Sequence, residues 1–145
     1  MLLAASRQPD QSTNQSSKAD MYVQFLTDEG YAPKIEQGGL VAFKKEGRLY
    51  LIIVDEKDEQ YFRIMFPNFW HLESDDERKR ALIACDHANT ISKVTKLTLA
   101  EDNVCGNIEL FLGGIAEFKA VFARSMSALE FGVNAYIQSM KAGNS

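Results

Sequence analysis

The residues that most invite a chemical reading are Cys85-Asp86-His87, a thiol, a carboxylate and an imidazole in consecutive positions. Such a set could activate a nucleophile or hold a metal, but residues two apart on a helix point about 200° apart. Cys85 and His87 therefore cannot share one proton or one ion. Cys85 falls instead on the side of Ala81, Ala84 and Ala88, the pattern of a small buried thiol. His71 could approach either cysteine only through tertiary placement, so an exposed or locally bonded imidazole is expected. The carboxylates Asp55, Glu56, Asp58 and Glu59 crowd one turn but lack the alternating register and distal glutamate of a calcium loop, and a charged turn accounts for them. Gly113-Gly114 could offer amides to an anion, yet no Lys-Ser or Lys-Thr pair follows, and a strand-to-helix turn is the simpler reading. No nucleophile elbow, phosphate loop or dinucleotide fingerprint is present. Arg78-Lys79-Arg80 is the only basic cluster, and Asp75 and Asp76 stand four residues before Lys79 and Arg80, placed for helical ion pairs. Phe66-Pro67-Asn68-Phe69-Trp70 reads as an apolar loop in which Phe69 and Trp70 either cap the core or anchor a partner. The expectation is a non-enzymatic protein with no catalytic residue, no metal and no cofactor.

The chain that must position these residues has 145 of them, 46% apolar and 25% charged, which suits one soluble domain. Its 16 basic and 20 acidic side chains give a net charge of −4, so no chain-wide cationic field is available to hold a phosphate backbone, and nucleic acid is not an expected partner. Two cysteines cannot form the disulfide framework of a small secreted scaffold, which points to a reducing, cytoplasmic compartment. The opening Met1-Leu2-Leu3-Ala4-Ala5 lacks the basic flank and longer apolar stretch of a signal peptide, and no stretch approaches the ~18 apolar residues of a membrane span. Neither export nor a membrane partner is expected.

From Gln8 to Ser17 eight of ten residues are Gln, Ser, Thr or Asn, so residues 1–16 read as a disordered polar tail and residues 17–145 as the single domain. Ser16 or Ser17 can cap a helix over about 17–29 that carries Met21, Tyr22, Phe25 and Leu26 and stops at Gly30. Four strand-like runs follow, at 34–37, 40–45, 48–55 and 61–66, with Pro67 ending the last. Both alternating sets in Leu49 to Val54 are apolar, which predicts a central strand covered on both faces by helices or by a partner. Ser74-Asp75-Asp76-Glu77 matches a capping box and starts a helix that runs to about Ser92. A hairpin spans 93–100 and 103–112, and a last helix covers about 115–140. The fold class is therefore α+β, an antiparallel sheet in the order α-β-β-β-β-α-β-β-α. On the last helix Ile115, Phe118, Phe122, Met126, Leu129, Val133, Tyr136, Ile137 and Met140 form the stripe to be buried on the sheet. Ala128, Gly132, Ala135 and Ser139 flank it with small residues, and Phe131 points away. The flank either packs on the first helix or, with Phe131, forms a surface for a second copy or another partner, and a homodimer is the arrangement expected from it.

Three stretches carry a family resemblance: Leu26-Thr27-Asp28-Glu29-Gly30-Tyr31, Tyr61 through Trp70, and Arg80-Ala81 through Asn89 to Val94-Thr95-Lys96-Leu97. Together with the element order they make residues 18–141 similar to the YbjN family of bacterial proteins, whose domain folds like type III secretion chaperones. Where a large aromatic would be expected in the last hairpin, this chain has Cys105-Gly106. The resemblance implies a sensory transduction regulator or chaperone-like domain that binds another polypeptide, on a sheet edge or in an apolar helix groove. It brings no catalytic residues. The alternative is a small-molecule sensor that uses the space beneath Phe69 and Trp70.

Overall fold

The computed structural model describes residues 17–144. The tail expected over 1–16 lies outside the described residues. The elements run α1 (Lys18–Asp28), β1 (Lys34–Ile35), β2 (Val41–Lys45), β3 (Arg48–Ile53), β4 (Tyr61–His71), α2 (Asp75–Ile91), β5 (Thr95–Ala100), β6 (Asn103–Phe111) and α3 (Ile115–Lys141). Every strand pairing is antiparallel, in one six-stranded sheet of order β1-β2-β3-β4-β6-β5. The α+β class and the element order expected from the sequence are both present.

Local chemistry accounts for the boundaries. Ser17 accepts the Asp20 amide at 3.2 Å to open α1, and Gly30, at φ 94°, closes it as the Tyr31 amide reaches back to the Leu26 carbonyl at 2.9 Å. The tight β2–β3 turn puts both Glu46 and Gly47 at positive φ (52° and 79°), the geometry that matches the strand twist. Ser74 accepts the Glu77 amide at 3.1 Å, as a capping box requires. The Glu77 carboxylate, however, takes the amide of Glu73 rather than that of Ser74.

Three expectations are corrected. Pro67 does not end β4; the strand continues to His71, pairing first through Phe66 with Gly106 and again from Trp70 with Val104. Proline supplies no ladder donor, so Pro67, Asn68 and Phe69 bulge opposite the single residue Cys105. Asn68, at φ 46°, donates its amide to the Cys105 sulfur at 3.4 Å, and the thiol lies 3.3 Å from the Asn68 side-chain oxygen. Second, no helix covers the second face of β3. The buried residues of all three helices pack with Tyr50, Ile52, Ile64, Leu97, Val104 and Ile108 on one face, while Leu49 on the other is exposed and Leu51 and Ile53 are half-buried. Third, the small-residue flank of α3 does not meet α1. A Cβ on Gly132 would lie 2.8 Å from the Thr95 methyl and 3.2 Å from Leu97, so the glycine brings α3 down onto β5.

Two aromatic-rich clusters lie beneath α3. In the larger, Tyr22 and Phe25 of α1 meet Phe118 and Phe122 edge-on, over Phe43 and Phe62 of the sheet. In the smaller, Ala81, Ala84, Cys85 and Ala88 of α2 close on Leu97, Val104 and Tyr136. Gly106 sits between them, where a Cβ would come within 2.9 Å of Leu129, so the absence of a bulky side chain lets α3 cross there. On the outer side of β5, Asn89 of α2 accepts the Leu97 amide at 2.7 Å and donates to its carbonyl at 3.1 Å.

Candidate functional site

Of the residues with apparent chemistry, both cysteines are buried and both histidines exposed. Cys85 is buried among alanines, and burial pushes its thiol up to about 11, far from a thiolate at neutral pH, while His87 lies exposed on the same helix. His71 ends β4 opposite Asn103, also exposed. Among the described residues, no three or more His, Cys, Asp and Glu side chains converge as a metal site.

The acidic turn between β3 and β4 is a clamp on α1. The Glu56 carboxylate accepts the Lys18 and Ala19 amides at 3.0 and 3.2 Å, satisfying the helix start. The Lys18 ammonium donates to the carbonyls of Asp55, Asp58 and Tyr61 and lies 4.6 Å over the Phe62 ring. Burial lowers the Lys18 pKa, opposed by the carboxylates of Asp58, Asp55, Glu56 and Glu59. A lysine at the positive end of a helix dipole was the sequence signal for this clamp. At α3 the Glu117 side chain folds back over Gly113, within 3.3 Å of where a Cβ would stand, so the chain's own carboxylate lies at that helix start. In the basic cluster, Arg78 rather than Lys79 or Arg80 makes the ion pair: it reaches the Glu101 carbonyl and lies 3.7 Å from Asp102, tying α2 to the last hairpin.

Phe69 and Trp70 are strand residues, not loop residues, and half-buried. Both meet Tyr136 of α3 edge-on, at ring separations of 5.4 and 5.5 Å, and Phe69 also stacks on Phe66 at 5.2 Å. The Tyr136 ring thus fills the space beneath them. The Trp70 indole donates to Glu77 at 2.9 Å; this bond and the Glu73 amide hold the Glu77 carboxyl below the usual range.

Of the four residues proposed as a partner surface, Phe131 is exposed, Ala128 and Ala135 are half-buried and Gly132 is buried against β5. Ala135 packs with the α2 cluster. Ala128, whose carbonyl accepts from Thr95 at 3.0 Å, lines a groove of about 340 Å³ between α3 and the hairpin β5–β6. Its other apolar walls are Leu110, Leu112 and Val121, and Ser125 lies among them. Lys93, Val94 and Arg124 form the rim, with Val94 exposed and held at φ 52°, a costly conformation for a β-branched residue. No residue of α1 or α2 lines the groove, although Leu110, Leu112 and Ala128 pack from beneath on the cluster that holds the buried residues of α1. The groove walls were not singled out from the sequence, where the signal was only that Val121 and Ala128 stand beside the buried stripe of α3.

A second surface is the uncovered sheet face. Leu49, Leu51, Ile53 and Met65 give it an apolar half. A polar half follows, in which Tyr61 donates to Glu109 at 2.8 Å, Lys96 to the same carboxylate at 3.0 Å and Arg63 to Asn107 at 2.9 Å. No helix among the described residues is long and apolar enough to cross a membrane. A scan against family models and a search of curated proteins both find no match to this chain.

Proposed function

We propose that this chain is a non-enzymatic regulatory or chaperone-like domain that binds another polypeptide, as its resemblance to the YbjN proteins implies. The observation that carries this reading is the apolar groove of α3 and the β5–β6 hairpin, with Val94 exposed at its rim. Such a groove suits side chains of a docked segment better than does the sheet edge, because the outer backbone groups of Leu97 in β5 are already bonded to Asn89. The test is affinity capture with two baits, the natural chain and Val121→Lys, which places a charge in the groove wall. A protein retained by the first and lost from an equally folded second supports the reading; identical recovery by both counts against the groove.

A further inference from the structure

The groove differs in charge from the chain that carries it. The protein has 20 acidic side chains against 16 basic ones, yet the groove lining includes Lys93 and Arg124 and no carboxylate. Neither cation has an ion pair or hydrogen bond from its side chain among the described residues. Ser125 is 5% exposed and lines the groove, and its hydroxyl makes no hydrogen bond among the described residues. An apolar floor, a hydroxyl that opens on the groove and two unpaired cations at the rim are complementary to an apolar side chain with carboxylates beside it.

A polypeptide fits this chemistry better than a free amphiphile, because a further exposed apolar side chain, Phe131, stands beyond the groove rim. Phe131, 52% exposed, stands seven residues from Arg124 on the same side of α3, roughly 10 Å along the helix. An extended chain covers that distance in about three residues. We propose, building on the polypeptide-binding reading, that the groove takes an acidic segment of a partner chain: an aliphatic side chain seats on Leu110, Leu112 and Val121, carboxylates meet Lys93 and Arg124, and a second apolar residue about three positions on covers Phe131. The overall negative charge of the protein repels such a segment elsewhere, so a preference for acid is a local property of this site.

The probe is a fluorescein-labelled peptide of four Gly-Leu-Asp repeats, compared with a counterpart carrying asparagine at every aspartate, each titrated into the full chain by fluorescence anisotropy. The acidic peptide is expected to bind at least tenfold more tightly at low salt, with the ratio shrinking as salt rises. Changing Lys93→Gln and Arg124→Gln together, at two exposed side chains, should abolish the ratio while leaving the affinity for the asparagine peptide, and Val121→Asp should weaken both peptides. Equal binding of the two peptides overturns the acidic preference and leaves the polypeptide reading standing. An acidic preference that survives loss of both cations overturns the assignment to this groove. Failure of both peptides to saturate overturns both readings, and saturable binding of laurate in their place, lost in Val121→Asp, identifies a small amphiphile as the occupant.

Discussion

At the scale of single residues, the fully buried tyrosines carry the sharpest consequences. The Tyr136 hydroxyl is enclosed with no hydrogen-bond partner among the described residues, and an unsatisfied buried hydroxyl costs about 1–3 kcal/mol. Tyr136→Phe keeps the ring against Phe69 and Trp70 while removing that cost, so chemical denaturation should show a gain on the order of 1 kcal/mol; a clear loss would reveal an unseen partner for the hydroxyl. Trp70 is the one tryptophan of the chain, which makes its emission a reporter of the bond to Glu77. Since the Glu77 carboxyl is held below its ordinary range, the bond is intact above that range and is lost only as pH falls through the lowered value. Emission should therefore stay constant down through about pH 4.3, the ordinary glutamate value, and change below it. Glu77→Gln should remove that low transition; its persistence would assign the change to another group.

Among the elements, α3 decides most. Phe122 is 4% exposed and meets Phe25, Phe43 and Phe118, whereas Phe131 on the opposite side is 52% exposed. Phe122→Ala should cost about 3–5 kcal/mol and Phe131→Ala less than about 1 kcal/mol, read as denaturation midpoints; reversed costs would mean that α3 packs through another face. This phase was legible from the sequence, because a 3.6-residue repeat of large apolar side chains over 27 residues has one way to bury them. The extent of β4 was not. Proline is a fair stop signal for a ladder, but here a cysteine sulfur from the next strand takes up the Asn68 amide and the ladder resumes. Nor could the apolar run of β3 reveal that its second face is left uncovered, since a strand's composition does not say to which side its helices return. The candidate site was legible only in part: Phe131 and Ala128 were marked by helical position, but the hairpin residues that complete the groove meet them through tertiary packing alone.

Across the whole molecule, the two clusters respond together to alkali. Burial raises the pKa of Tyr22 in one and of Tyr136 in the other, and pushes that of Cys85 up to about 11. A group whose pKa is higher folded than unfolded gives stability that is complete below its unfolded pKa and is lost as pH rises through the folded one. The loss should therefore begin near pH 9 with the thiol and steepen above about pH 10, each tyrosine adding about 1.4 kcal/mol per pH unit. Urea midpoints at pH 8, 10 and 11 would measure this, with Tyr136→Phe giving a shallower fall; a flat profile would show that the rings ionise without unfolding. The reach of Asn89 to Leu97 has a consequence of another kind. With β1 only two residues long at the far end, a second copy recruited to this sheet would pair β5 against β5, and such a two-fold pairing of like edges closes on itself. One amide side chain thus withholds the Leu97 backbone groups from such a pairing. Asn89→Ala should raise the share of a species of twice the monomer mass in sedimentation velocity relative to the natural chain, and an unchanged distribution would show that β5 is guarded by something else.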